Sequence, residues 1–229
     1  GQLFNWNPYH RIGAGNFNIN VVGPSGVGKS VFLQCLADTM LAAGTRMFIL
    51  DIGASYAPLA KLLGGEIIEF GALSSFTINP FVGLKPNMIE TEFNQLVVCA
   101  KELLSIMCGA EGEFETASLE KALKDAVIAA DFKLDLQGFV AFLKESKSEV
   151  LEQFATSLFS YTREGVFGKY FSGEKPANFN KSITIFEFEH VKDQPKLIAI
   201  ILQTLLMQIT SQFLTGDRSQ KFMIIVDEA

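Results

Sequence analysis

Gly23-Pro24-Ser25-Gly26-Val27-Gly28-Lys29-Ser30 fits the pattern G-x-x-x-x-G-K-[ST], and Val31 follows it. Upstream, Phe17-Asn18-Ile19-Asn20-Val21-Val22 reads as a β-strand. Downstream, Val31, Phe32, Cys35, Leu36, Thr39 and Met40 recur at helical spacing, with Gly44 placed to end the helix. A strand, a glycine-rich turn and a helix in that order form the setting in which this pattern cradles phosphate. Glycines let the backbone curl until successive N–H groups point inward, and the helix adds its positive N-terminal end. The loop from Gly23 to Val31 is therefore expected to hold a nucleotide's phosphates. Lys29 would reach the β- and γ-phosphates, and the Ser30 hydroxyl would ligate Mg²⁺.

Composition narrows the class. A chain of 229 residues suits one large domain, or a core with one inserted subdomain, and its 48% hydrophobic content fits a globular fold rather than disorder. The formal net charge is −6 and Lys and Arg are scattered, so no direct nucleic-acid binding is evident in this segment. Cys35, Cys99 and Cys108 have no paired spacing, which points to a reducing compartment, and Cys35 reads as a packing residue. His10 and His190 lie far apart and make no metal-ligand pattern. The longest apolar stretch, Leu197 to Leu214, is broken by Gln203, Gln208 and Gln212. A buried core helix explains it better than a membrane span.

Along the chain, Phe4, Trp6 and Tyr9 lead into Gly13-Ala14-Gly15; an aromatic here would either stack on a base or cover a sheet edge. Met47 to Leu50 is a second strand, running into Asp51-Ile52-Gly53-Ala54-Ser55-Tyr56. Loops at the carboxyl ends of parallel strands line the ligand crevice, so Asp51 either orients a metal-bound water or caps the turn after it. Glu66 to Phe70 and Phe76-Thr77-Ile78 look like short strands, closed by the turn Asn79-Pro80-Phe81. From 87 to 170 the period becomes helical. One apolar stripe runs from Phe93 to Met107 and is broken at Gly109 to Gly112. A second carries Leu119, Leu123, Ala126, Val127 and Ala130. Asp135 is placed to cap a third helix, and Leu151, Phe154, Leu158 and Tyr161 mark a fourth. Strand Ser182 to Phe188, helix Gln194 to Leu214 and strand Phe222 to Val226 then resume the core. The last is apolar throughout, as a strand buried on both faces would be. The reading is an α/β core in two parts, 1–86 and 171–229, with a helical subdomain inserted at 87–170.

That final strand ends in Asp227-Glu228-Ala229. A buried strand delivering an acid beside a phosphate loop is the Walker B arrangement. Asp227 would share Mg²⁺ with Ser30, while Glu228 would position or activate the attacking water. Asn180-Lys181-Ser182-Ile183 lacks the closing Asp of a guanine motif, and the extra glutamate favours ATP hydrolysis.

Six stretches together carry a family resemblance: GNFNINVVGPSGVGKS at 15–30, FILDIGASY at 48–56, INPF at 78–81, GVFGKYFSG at 165–173, ITIFEFEHV at 183–191 and FMIIVDEA at 222–229. The chain resembles the motor domain of TraC-type ATPases of conjugative type IV secretion systems, in the FtsK/HerA superfamily of RecA-like ATPases. The resemblance implies a RecA-like P-loop core with a mostly parallel sheet, ATP and Mg²⁺ as ligands, and a cytoplasmic protein docked at the inner face of the bacterial inner membrane. It implies homo-hexamers, other secretion components as partners, and work spent on assembling the conjugative pilus and channel. Gly28, Lys29 and Ser30 then take the phosphate and metal roles, Asp227 the metal role, and Glu228 the hydrolytic role. The family continues past the Walker B strand into a sensor strand and an arginine finger, so the resemblance also implies a fragment. Two other readings stand beside the motor: a nucleotide-gated assembly module with little hydrolysis, and a DNA translocase of the same superfamily.

Overall fold

Runs of β-branched and aromatic residues make the four strands of one parallel sheet in the computed structural model, which describes residues 8–9, 17–24, 26–71, 76–172, 179–214 and 219–227. The strands are β1 (Arg46–Asp51), β2 (Glu66–Glu69), β3 (Ile183–Glu187) and β4 (Phe222–Val226), in the spatial order β2-β3-β1-β4. Register aligns Met47 with Ile183 and Met223, and Asp51 with Glu187. Because side chains alternate along a strand, paired rows share a face.

One face carries Met47, Ile49, Ile183, Ile185 and Ile225, and it packs under α1 (Lys29–Ala42) and α2 (Ala57–Leu62) through Ala37, Met40 and Ala60. The other face carries Phe48, Leu50, Ile68 and Phe186, and it joins a second core that runs without a break into the helices. Phe70 and Phe188, just beyond β2 and β3, stack with their centroids 5.1 Å apart.

Helices α3 (Glu90–Cys108), α4 (Glu113–Ala129), α5 (Leu136–Glu145), α6 (Glu149–Leu158) and α7 (Gly168–Phe171) lie between β2 and β3. The stripe on α3 buries Leu96, Val97, Ala100, Leu103, Leu104 and Met107, and Gly109 ends the helix at φ 77°. Asp135 caps α5, its Oδ1 accepting from Gly138 N at 2.7 Å. Helix α8 (Pro195–Leu214) packs on α3 and carries the whole assembly onto the sheet. Among the described residues no helix is long and apolar enough to cross a membrane. Asn79 knits these parts together. Its Oδ1 accepts from Phe81 N, its Nδ2 donates to Leu134 O, and its carbonyl accepts from Gln208 on α8.

Four expectations need correction. Phe17 to Val22 is not a strand of the sheet, and most of it is exposed. Apolar alternation is a local propensity, and it makes a strand only where the stretch is also hydrogen-bonded into a sheet, which the described strand order does not show for this one. Phe76-Thr77-Ile78 is reduced to a single bridge at Thr77, because Ile78 N bonds instead to the Tyr170 carbonyl. On α1 the buried side is Ala37 and Met40 with Leu33 and Leu36 beside them, so Val31, Phe32 and Cys35 face out. Finally, β4 stands at the edge of the described sheet. Its Val226 is 49% exposed, so this strand is not buried on both faces.

Candidate nucleotide site

The turn between Gly23 and Ser30 is a built cradle. Gly26 and Gly28 have φ of 81° and 93°, a region that side chains rarely adopt, and Gly28 is the residue from which α1 departs. Its carbonyl accepts the Phe32 N–H at 2.9 Å, so the helix is regular from its first turn. Gly23 meets a different limit: a Cβ there would lie 2.9 Å from Val27 Cγ2. Lys29 folds back over the loop, donating from Nζ to the carbonyls of Gly23 (2.8 Å) and Pro24 (2.9 Å). The ammonium is thus held inside the loop it is expected to serve. Ser30 is partly buried in the first turn of α1, and Val31 after it is exposed. Ser25 and Glu228 lie outside the described residues.

Across the carboxyl ends of the strands runs a row of acids. Glu69 pairs with Glu187, Glu187 with Asp51, and Val226 with Leu50, which sets Asp227 beside Asp51. Asp51, Glu187 and Asp227 are all buried, and among the described residues no lysine or arginine pairs with them. Each belongs to the column of apolar residues that α1 and α2 cover, one step past the last of them. Sequence reasoning named Asp51 and Asp227 but passed over Glu187. The signal was available, since Glu187 closes the buried strand Ile183–Glu187 just as Asp227 follows Phe222–Val226.

The loop Ile52 to Tyr56 binds these acids together. Glu187 accepts from Gly53 N (3.2 Å) and Ala54 N (2.9 Å), and also from Glu189 N (3.0 Å). Asp51 Oδ2 accepts from Tyr56 N at 3.2 Å, so the turn-capping reading of Asp51 holds. Tyr56, fully buried, donates its hydroxyl to Asp227 Oδ2 at 2.8 Å. From the other side, Gln34 on α1 donates to the Ser55 carbonyl at 3.1 Å. The phosphate-loop helix and the Asp227 strand therefore meet through this loop. Asp227 bonds to Tyr56 of this loop, and Ser30 lies one helical turn before Gln34 on α1.

Burial raises the Asp51 carboxyl above its ordinary range; the Tyr56 N–H lowers it, and the charge of Glu187 raises it again. Asp51 Oδ1 is buried and has no close hydrogen-bond partner among the described residues. An acid whose folded pKa exceeds its unfolded one binds more protons when folded. Its contribution to stability is present below the unfolded pKa, about 4, and is lost as pH rises through the folded pKa. Asp51→Asn, which keeps an acceptor for Tyr56 N–H, should therefore stabilise the metal-free chain increasingly as pH rises from about 4 to 7. Thermal melts of both proteins across that range test this; a pH-independent difference would contradict it.

The donor set suits a magnesium ion. Mg²⁺ takes oxygen ligands, one or two carboxylates with water and phosphate, and rarely a full protein cage. Asp227, in a row of buried carboxylates with no lysine or arginine paired to it among the described residues, and the hydroxyl of Ser30 are oxygens of that kind. Among the described residues no three acidic, histidine or cysteine side chains are spaced to hold a metal by themselves. Tyr9, the described member of the aromatic lead-in, donates from Oη to the Phe222 carbonyl at 2.9 Å, and so covers the sheet edge.

A family model described as the TraG P-loop domain matches residues 4–229. The chain belongs to that family. This TraG P-loop domain is 25% identical over 230 residues to Protein TraC of Escherichia coli (strain K12), an overlap taking in 93% of this chain and 25% of that protein. It thus spans about a quarter of the length of this curated relative. The structure of VirB4 of Thermoanaerobacter pseudethanolicus superposes with a TM-score of 0.70 at 17% identity, covering 88% of this chain and 81% of that one. The likeness to VirB4 is one of fold, and it agrees with a RecA-like P-loop core. Together these findings bear out the TraC-type resemblance read from the six sequence stretches.

Proposed function

We propose that this TraG P-loop domain binds ATP with Mg²⁺ and hydrolyses it, as the motor segment of a conjugative type IV secretion ATPase. The observation that carries the reading is the closed phosphate loop, with Lys29 folded inside it, joined through the Ile52 to Tyr56 loop to the acid at the end of β4. Loop N–H groups and Lys29 hold the phosphates. Ser30 and Asp227 hold the metal, which supplies charge neutralisation at the β- and γ-phosphates. Glu228 follows Asp227 directly and would orient the attacking water. Residues 87–170 serve as a helical subdomain between the two halves of the core, and the assembled protein works as a hexamer at the inner face of the inner membrane with other secretion components.

Glu228→Gln tests the hydrolytic part. Removing the base from a positioned water should lower phosphate release about 100-fold or more while ATP still binds. Phosphate release and binding isotherms, measured side by side on the assembled protein, check this. Tight ATP binding with negligible turnover in both proteins would favour a nucleotide-gated assembly module instead, and substantial turnover unaffected by the substitution would overturn the role of Glu228.

A further inference from the structure

We propose that Tyr56 is the positioning residue of the metal side of the site: its hydroxyl sets the rotation of Asp227, and its loop ties that setting to the phosphate helix. The inference rests on the metal role of Asp227 proposed above. Tyr56 is fully buried, and its Oη donates to Asp227 Oδ2 at 2.8 Å across 171 residues of sequence. A carboxylate at a strand end can rotate about two bonds. A buried donor on one oxygen removes that freedom and presents the remaining lone pairs in one direction.

The tyrosine is itself held from three sides. Its N–H is fixed by Asp51 Oδ2, the preceding carbonyl of Ser55 accepts from Gln34 on α1, and Gly53 and Ala54 are clamped by Glu187. Ala54 sits at φ 56°, a left-handed conformation unusual for alanine, which the two bonds to Glu187 sustain. The loop is therefore specified in detail where an ordinary surface turn would not be. What it delivers is one hydroxyl onto one carboxylate. Tyr56 belongs to the apolar cluster that also holds Ala37, Met40, Ile49 and Ile185, so phenylalanine keeps an apolar ring in that cluster and removes the hydroxyl.

The test is ATP binding by the chain, wild type and Tyr56→Phe, each with Mg²⁺ and with chelator. The expected result is that the Mg²⁺-dependent gain in affinity shrinks about tenfold in Tyr56→Phe while metal-free affinity is unchanged. An undiminished Mg²⁺ gain overturns the proposal for Tyr56 alone. Equal losses with and without Mg²⁺ overturn it too, in favour of a purely structural tyrosine. A wild-type chain that binds ATP no better with Mg²⁺ overturns the metal reading beneath it, and that outcome is distinct from the other two.

Discussion

Lys29→Ala is expected to weaken ATP binding about 100-fold, the worth of one or two charge-assisted hydrogen bonds to phosphate. Among the described residues the side chain's hydrogen-bond partners are the loop carbonyls of Gly23 and Pro24, and it takes no part in either core cluster. Its removal should therefore shift the melting temperature by no more than about 2 °C, as expected for a surface substitution. Calorimetric titration with ATP, beside a thermal melt, checks both halves. Binding that survives intact would remove the basis for assigning phosphate to this loop. A large melting shift would instead mean that the lysine braces the loop.

The second large effect concerns stability. Gly168→Ala is expected to destabilise the fold by about 3 kcal/mol, lowering the melting temperature by roughly 10 °C. A Cβ at Gly168 would overlap the Thr162 carbonyl oxygen, and one at Gly165 would overlap the carbonyl of Phe159. Both obstacles are backbone. The turn at Phe159–Tyr161 is held in place by bonds from Gly165 N to Thr162 O and from Phe167 N to Ser160 O. Tyr161 packs on Phe167 and Phe171, so a shift there propagates into the core. ATP affinity should be retained below the melting range, because this turn is remote in sequence from the phosphate loop and makes no hydrogen bond to it among the described residues. A melt within about 2 °C of the parent would show that the turn can move aside.

These glycines show what kind of information the sequence holds. GVFGKYFSG was readable as a pattern that marks relatives, but its reason is contact with the backbone of the turn before it. Helices α3 to α6 were legible, since stripes such as Leu96 to Met107 on α3 and the Asp135 cap depend on residues within a few positions, whereas the short α2 and α7 carry too few turns to show a period. Strands β1, β3 and β4 were legible for the same reason. Phe17 to Val22 was misread because its propensity is local while its pairing is not. Glu187 was passed over although it closes a buried strand as Asp227 follows one, and its bond to Gly53 spans 134 residues; Tyr56 was missed because its partner lies 171 residues away. The site is thus half visible in sequence: the phosphate side is a contiguous motif, and the acidic side is assembled by the sheet.

The strand order has a consequence for how such a chain must be made. Every pairing in the described sheet, β1 with β3, β1 with β4 and β2 with β3, joins a strand ending before residue 70 to one beginning after residue 182. Strands from the two ends of the chain alternate like the teeth of a zip. During synthesis β1 and β2 therefore emerge with no mate and must wait while the whole helical stretch is translated. Such long-range pairing is slow, and waiting strands present open edges to neighbours on the same message. The helices, which close on local contacts, are available to fold during that interval. Cellular yield should accordingly depend on how well those two early strands are shielded until the second half arrives.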